Sequence, residues 1–308
     1  MNVEAKSQKW SMDQVSSQRG KVAVVTGANG GIGFETALAL AKKDVEVVLA
    51  CRNVPKAEAA KAQITEQYPA ARLQCLPLDV SRLREVREFA AQLQRQYGQL
   101  DLLVNNAGVM MSPYEVTEDG FENQFATNYL GHFALTGGLL PLLTGTAGSR
   151  VVTVSSLSYK WAEIDFGDLQ AQRGYSRRKA YGQSKRACLM FAYELQRRLA
   201  AAGHGTRSVA VHPGLSKTNL DRYFPALIRP LGNLFLQPAA RGALPLLYAA
   251  LAPAIHGGEF IGPDGFQQIR GHPTRVDSDD YAKDEKIAAR LWKVSEALTH
   301  CRYLSDKA

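Results

Sequence analysis

Tyr181 and Lys185 stand four residues apart in the run Ala180-Tyr181-Gly182-Gln183-Ser184-Lys185. On a helix this spacing puts both side chains on one face, one turn apart. A free tyrosine titrates near pH 10, and a neighbouring ammonium favours its phenolate. A unit charge about 4 Å away, at an effective dielectric of about 20, is worth roughly 4 kcal/mol, or about three pKa units. Such a pair suits a tyrosine that exchanges protons near neutral pH, as general acid–base catalysis requires. Chance alone produces this spacing in many chains, so its meaning depends on the elements around it.

A second group with chemical potential lies near the N-terminus. Lys21–Thr26 (KVAVVT) is a short β-branched run of the kind buried in parallel sheets. It leads into Gly27-Ala28-Asn29-Gly30-Gly31-Ile32-Gly33, after which Phe34–Lys43 has helical character. Strand, glycine turn and helix in this order are the context of a dinucleotide site. Gly27 permits the tight turn, Gly31 lets the backbone approach a pyrophosphate, and Gly33 lets helix and strand pack closely. The helix N-terminus offers N–H groups to the phosphates. The spacing is Gly-x-x-x-Gly-x-Gly rather than Gly-x-Gly-x-x-Gly.

The elements that must position these groups follow from periodicity and punctuation. Further strands are expected at Val45–Cys51, Leu73–Leu78, Leu100–Asn105, Arg150–Ser155, Arg207–His212 and Gly258–Gly262. Helices are expected at Lys56–Gln67, Arg82–Tyr97 with Ser81 as its cap, Phe121–Leu143, Tyr181–Ala202, Pro238–Ala252 and Ala282–Thr299. The alternation from Lys21 to Gly262 predicts an α/β fold: a single-domain, Rossmann-type, doubly wound parallel sheet of about seven strands with helices on both faces. Residues 1–20 read as an N-terminal arm pinned by Trp10, residues 21–269 as the domain, and residues 270–308 as a C-terminal extension with a helix and no assignable role.

Bulk properties exclude several classes. The 308 residues suffice for one α/β domain with a substantial core. The longest apolar runs, Val45–Cys51 and Ala243–Ala252, are too short for a membrane span. Met1–Gly20 lacks the apolar segment of a secretory signal. Cys51, Cys75, Cys188 and Cys301 are scattered without metal-ligand spacing, and fit reduced thiols in a cytoplasmic protein. The net charge of +8 comes without basic stretches interleaved with stacking aromatics. It points to a basic surface around an anion site, not to nucleic acid.

The order of motifs resembles the short-chain dehydrogenase/reductase family. Thr26–Gly33 matches the family's Thr-Gly-x-x-x-Gly-x-Gly pattern. Asp79-Val80, Asn105-Asn106-Ala107-Gly108, Asn128, Ser156, Tyr181 with Lys185, and Pro213-Gly214 follow in family order. Thr117–Phe133 and Ala50-Cys51-Arg52-Asn53 look like the retinol-dehydrogenase-like and protochlorophyllide-reductase-like branches. The resemblance implies a catalytic set of Asn128, Ser156, Tyr181 and Lys185. Tyr181 would give or take the proton, and Ser156 would hydrogen-bond the substrate oxygen. Lys185 would lower the tyrosine pKa and hold the nicotinamide ribose, and Asn128 would anchor a water leading toward Lys185. Ser155 competes for the serine role, and the alignment favours Ser156.

The resemblance also implies a nicotinamide dinucleotide held by Gly27, Asn29, Gly30, Gly31, Ile32, Gly33, Asp79, Val80, Asn106, Ala107, Gly108, Tyr181, Lys185, Pro213, Gly214 and Thr218. Asp79 would meet the adenine, and Thr218 the carboxamide. A site for NAD wants a carboxylate after the second strand. Here Arg52 and Asn53 stand there instead, and Arg52 suits a bidentate grip on a 2′-phosphate, favouring NADP(H). The apolar content of Asn219–Gln237, a substrate lid in the family, suggests a lipophilic aldehyde or ketone. The longer stretch Leu157–Lys179, with Trp161, Phe166 and the basic run Arg173–Lys179, would wall the cleft. Reduction of a carbon–carbon double bond and cofactor sensing without turnover are the rival readings. Pairing as a homodimer or homotetramer would use the two long helices Phe121–Leu143 and Tyr181–Ala202.

Overall fold

The computed structural model describes residues 9–216 and 236–304. Strands β1 (Val22–Thr26), β2 (Glu46–Cys51), β3 (Leu73–Pro77), β4 (Leu102–Asn105), β5 (Arg150–Val154), β6 (Arg207–Val211), β7 (Phe260–Pro263) and β8 (Pro273–Arg275) form one sheet. Their spatial order is β3-β2-β1-β4-β5-β6-β7-β8. The first seven run parallel, and β8 pairs antiparallel with β7. The eighth strand goes beyond the seven expected. It lies in the expected C-terminal extension, so that segment begins as part of the sheet.

The helices are α1 (Gly31–Ala41), α2 (Val54–Gln67), α3 (Leu83–Gln96), α4 (Gly131–Thr144), α5 (Arg177–Ala201), α6 (Ala239–Leu251), the single turn α7 (Asp280–Lys283) and α8 (Glu285–Thr299). Val25, Leu49, Val104 and Val152 point into one apolar cluster with α1, α2 and α6. Val24, Val48 and Leu103 point into the other, with α3, α4, α5 and α8. Both sheet faces are therefore covered, which is why the central strands are continuous β-branched runs rather than alternating ones. The chain winds outward on both sides of β1 and β4. Their carboxyl ends are the switch point where open α/β sheets bind ligands. No helix among the described residues is long and apolar enough to cross a membrane.

Three local expectations are corrected. The hydroxyl of Ser81 donates to Asp79 Oδ1 (2.7 Å) instead of capping α3, whose Leu83 N–H donates to Asp119 Oδ2 (2.8 Å). The helix expected from Phe121 begins as a turn at Asn123–Phe125, capped by the Glu122 carboxylate. It then passes through a wide π-type turn, Ala126–Leu130, before α4. The catalytic helix starts at Arg177, not Tyr181, with the Ser176 hydroxyl accepting from Lys179 N–H.

The termini are tied to the body. Trp10 packs edge-on against Tyr248 of α6, with ring centroids 5.2 Å apart. On the opposite face, Trp292 of α8 meets Phe133 of α4 (4.9 Å), Phe191 of α5 (5.9 Å) and Tyr303 (4.8 Å). The Tyr303 hydroxyl donates to Phe133 O (3.0 Å). One face of the two long helices, the aromatic one with Phe133 and Phe191, is thus occupied by the chain's own C-terminal helix.

Buried His132 joins the switch point to the π-type turn. Its Nδ1 lies 3.0 Å from the Asn128 carbonyl, which only accepts, so Nδ1 carries the proton. Nε2 of the neutral ring then accepts from the Thr26 hydroxyl (3.0 Å). Thr26 Oγ1 in turn accepts from the N–H groups of Asn106 and Ala107 (2.9 Å each). Burial first, then the Lys185 charge, push the imidazole down to about 4. The unfolded chain takes up this proton near pH 6.5 and the folded one only near 4, so stability is full above that window and falls as pH drops through it. By pH 4.5 the loss from this one group is roughly 2–3 kcal/mol. His132→Gln should be less stable at pH 7 yet lose less between pH 7 and pH 4.5, as read by urea unfolding. An equal pH slope in both proteins would remove His132 from the acid response.

Candidate active site

At the switch point the chain turns from β1 into α1 through Gly27 and Gly31, both at positive φ (67° and 54°). A Cβ at Gly33 would come 2.5 Å from Asn106 Nδ2 and also meet the Gly27 carbonyl. Gly33 therefore lets α1 close onto the turn and the β4 loop rather than onto the strand. Asn106 Nδ2 donates to Thr26 O (2.8 Å), binding the β4 loop to the glycine turn. Gly30 at the N-cap provides no side-chain cap for α1. The glycine turn borders a cleft of about 380 Å³ whose lining includes Asn29, Gly30, Gly31, Phe34, Glu35 and Lys56. A side-chain-free glycine backbone at an uncapped helix N-terminus fits a pyrophosphate. The side chains of Ile32 and Val80, also expected at the cofactor, are buried in the two apolar clusters.

The end of β2 carries the groups expected to select the cofactor. Arg52 Nη1 lies 3.6 Å from Asp79 Oδ2, with its side chain 69% exposed. An exposed pair of this length is worth about 0–1 kcal/mol, so Arg52 is readily recruited by another anion. Asn53 caps α2, its side-chain oxygen accepting from Lys56 N–H (2.9 Å). Asp79 accepts from both the N–H and the hydroxyl of Ser81.

The catalytic candidates converge beyond β4 and β5. Tyr181 is buried, and Ser156 is the polar side chain that opposes the effect of burial on its phenol. Ser156 follows β5, and its Oγ also accepts from Ser158 N–H (3.2 Å). Ser155 faces the other way, donating to the Lys185 carbonyl (2.7 Å) and anchoring α5. Geometry thus separates the two serines. Lys185 sends its ammonium to the Val154 carbonyl (2.9 Å), 5.9 Å from the centre of the Tyr181 ring.

In this placement the Lys185 ammonium is directed to the Val154 carbonyl and not to the phenol oxygen. Burial raises the phenol well above its ordinary value, with Ser156 acting in the opposite direction. Burial likewise pushes the Lys185 ammonium down. The protein groups alone therefore hold Tyr181 protonated.

Asn128 sits in the π-type turn, a departure from α-geometry that recurs at functional sites. Its side chain grips Val109, accepting from the N–H (2.8 Å) and donating to the carbonyl (3.0 Å), and donates to Ser184 Oγ (2.9 Å). Its own carbonyl accepts from His132 Nδ1 and Cys188 Sγ (3.0 and 3.1 Å). A Cβ at Gly108 would fall 2.9 Å from Asn128 Oδ1 and 3.7 Å from Lys185 Nζ. Gly108, Asn128 and Lys185 thus form one group, and Ala107 joins it through Thr26. Pro213-Gly214 is held by His212, whose Nδ1 accepts from Gly214 N–H (3.3 Å), and by Gln237, which donates to Pro213 O (2.7 Å). Thr218 and most of Asn219–Gln237 lie outside the described residues.

Of the groups expected to wall the cleft, Trp161 stands beside Tyr181, with ring centroids 6.2 Å apart and the Arg178 guanidinium 4.7 Å over its own ring. Phe166 instead meets Arg290 of α8 at 4.0 Å. Thr26, His132 and Ser184 were not assigned roles from sequence. The i, i+4 spacing of Asn128 and His132 was the available signal.

Residues 21–226 match the sequence profile of the short chain dehydrogenase family. Mouse retinol dehydrogenase 14 is 38% identical over 297 residues, covering 91% of this chain and 86% of that protein. Human retinol dehydrogenase 12 is 41% identical over 286 residues, covering 92% and 88%. A crystal structure of an uncharacterized protein from Mycobacterium paratuberculosis is 40% identical, with a TM-score of 0.81 over 96% of this chain and 99% of that one. The chain belongs to the short-chain dehydrogenase/reductase family, in its retinol-dehydrogenase-like branch, and is an alcohol/carbonyl oxidoreductase of the NAD(P)-binding kind.

Proposed function

We propose that the protein moves hydride between NADP(H) and the carbonyl/alcohol pair of a lipophilic substrate, with Tyr181 as general acid and base. The observation that carries this reading is the buried Tyr181 phenol, one turn from Lys185 on α5, whose Nζ lies 5.9 Å from the ring centre, with Ser156 at the end of β5 as the polar side chain acting on the phenol.

The dinucleotide, when bound, supplies or receives the hydride at the substrate carbon. Gly27, Asn29, Gly30, Gly31 and Gly33 would hold its pyrophosphate, with Arg52 at the 2′-phosphate and Gly108, Pro213, Gly214 and Lys185 toward the nicotinamide end. In the reducing direction the Ser156 hydroxyl donates to the carbonyl oxygen as negative charge develops there. The Tyr181 phenol passes its proton to that oxygen, forming the alcohol. The phenolate left behind is stabilised by the Lys185 ammonium. A phenol held protonated by burial is loaded for this direction. In oxidation the same atoms run in reverse, and the phenolate must be formed first.

The relatives named retinol dehydrogenases, together with the apolar residues Tyr223, Phe224, Leu227, Leu231 and Phe235, support a retinoid-like or other lipophilic aldehyde as substrate.

Tyr181→Phe should lower kcat/KM for an aldehyde by about 10³-fold, in the range of a lost general acid, with NADPH affinity held within threefold. A variant that turned over normally would remove Tyr181 from the chemistry, and a wild type that reduced nothing in a panel of aldehydes, ketones and enones would favour a cofactor sensor. Arg52→Asp should shift the NADP/NAD ratio of kcat/KM toward NAD by roughly ten- to a hundredfold, the worth of a charge-assisted hydrogen bond. An unmoved ratio would place cofactor choice elsewhere.

A further inference from the structure

Arg186 follows Lys185 on α5, and its side chain is 4% exposed. Its Nε donates to the carbonyls of Tyr159 (3.1 Å) and Ala162 (2.7 Å). Nη1 and Nη2 donate to the two carboxylate oxygens of Asp279 (2.8 and 3.0 Å). The guanidinium also lies over the rings of Tyr159 (5.2 Å) and Tyr281 (4.8 Å). Burial raises the Asp279 carboxyl, but the Arg186 hydrogen bond and the Ala282 N–H outweigh it and hold the group low, so the pair is ionised. A buried guanidinium needs such a partner, and a bidentate carboxylate fits its planar fork.

The two carbonyls gripped by Arg186 belong to the stretch that leaves β5 and carries Ser156 and Trp161. The same stretch is held twice more from the C-terminal segment. Asp279 N–H donates to the Tyr159 hydroxyl (3.3 Å), and Ile164 N–H donates to the Tyr281 hydroxyl (3.2 Å). From below, Gly182 presses against it: a Cβ there would meet Trp161 Cβ at 2.9 Å and Ser158 O at 3.0 Å. Gly182 is the residue between Tyr181 and the rest of the catalytic helix. The stretch is therefore clamped between α5 and residues 279–281, with its active-site groups on the catalytic side.

Resting on the reductase reading, we infer that Arg186, Asp279 and Tyr281 are positioning residues: the C-terminal segment sets where Ser156 and Trp161 stand against Tyr181, and so fixes the placement of the substrate carbonyl. Neither Arg186 nor Asp279 touches the reacting atoms. Their action is through the backbone of residues 159–164, and small misplacements of a reacting group cost large factors in rate. This gives the segment beyond residue 270 a task in substrate handling and none in cofactor binding.

The test uses the full chain and three variants. Asp279→Asn keeps the side chain's shape and removes its charge; Asp279→Glu restores the charge. Tyr281→Phe keeps the ring over Arg186 and removes the hydroxyl that holds Ile164, a change mild enough to leave the fold intact. Hydrogen exchange should quicken at least tenfold at Tyr159, Ile164 and Asp165 in Asp279→Asn, with β1 and α1 unchanged. Its kcat/KM for an aldehyde should fall ten- to a hundredfold while NADPH affinity stays within threefold. Asp279→Glu should recover most of this, and Tyr281→Phe should give the same pattern at smaller amplitude. Unchanged exchange at 159–164, faster exchange with unchanged kcat/KM, or a loss of NADPH affinity equal to the loss in kcat/KM would each overturn the inference. Should the wild type reduce no carbonyl, the reductase reading fails, and the exchange measurements on Asp279→Asn and Tyr281→Phe still decide whether the clamp exists.

Discussion

Lys185 carries an ammonium to a place that water scarcely reaches. A buried cation must find fixed acceptors or lose its proton. The acceptor is the carbonyl of Val154, the last residue of β5, whose oxygen is free because the strand ends there. This single constraint ties the catalytic helix to the sheet. The helix must run along the carboxyl end of β5, and Ser155 reinforces it by donating to the Lys185 carbonyl. Tyr181, one turn earlier, is then brought to Ser156 without further adjustment. The same desolvation that makes Lys185 dependent on Val154 keeps Tyr181 protonated. In the proposed mechanism, loading the acid and positioning it are two results of one burial.

Around this pair the structure is braced by a network of hydrogen bonds. Asn128 binds the backbone of Val109 on both sides, and the neutral imidazole of His132 connects the Asn128 carbonyl to Thr26. The glycine turn, the β4 loop and the π-type turn are therefore joined by one hydrogen-bond network. On the far side of α5, the C-terminal helix buries Trp292 against Phe133 and Phe191. The segment after residue 270 thus completes the sheet with β8, the core with α8, and the wall beside Tyr181 with Asp279.

What could be read from sequence was what is encoded locally. The β-branched runs gave the seven parallel strands, because a strand buried on both faces has no polar side to show. The strand, glycine turn and helix were read where β1, the turn at Gly27–Gly31 and α1 stand, and the Tyr181–Lys185 spacing survived because α5 is a regular helix through both residues. Ser156 against Ser155 was a one-residue question that only the side-chain directions separate. The π-type turn was hidden because Ala126–Leu130 contains no breaker residue to mark it; within it Tyr129 packs its ring against Phe125 and Phe133. Ser81 looked like a cap, yet Asp79 two residues earlier competes for its hydroxyl. Thr26–His132 and Arg186–Asp279 span 106 and 93 residues, and no local pattern announces such pairings. The expected effect of Lys185 on Tyr181 assumed a charge aimed at the phenol, and the Val154 carbonyl turns it aside.

The central claim is that burial loads Tyr181 with its proton and that Lys185 becomes its electrostatic partner only in the cofactor complex. The most direct measurement is the titration of Tyr181 by NMR of carbon-13-labelled tyrosine, assigned against Tyr181→Phe, with and without NADP⁺. The account predicts a phenol that stays protonated past pH 10 in the protein alone and titrates more than one unit lower when NADP⁺ is bound. A phenol that already ionises below pH 10 without the cofactor, or one whose titration NADP⁺ leaves unmoved, would contradict it.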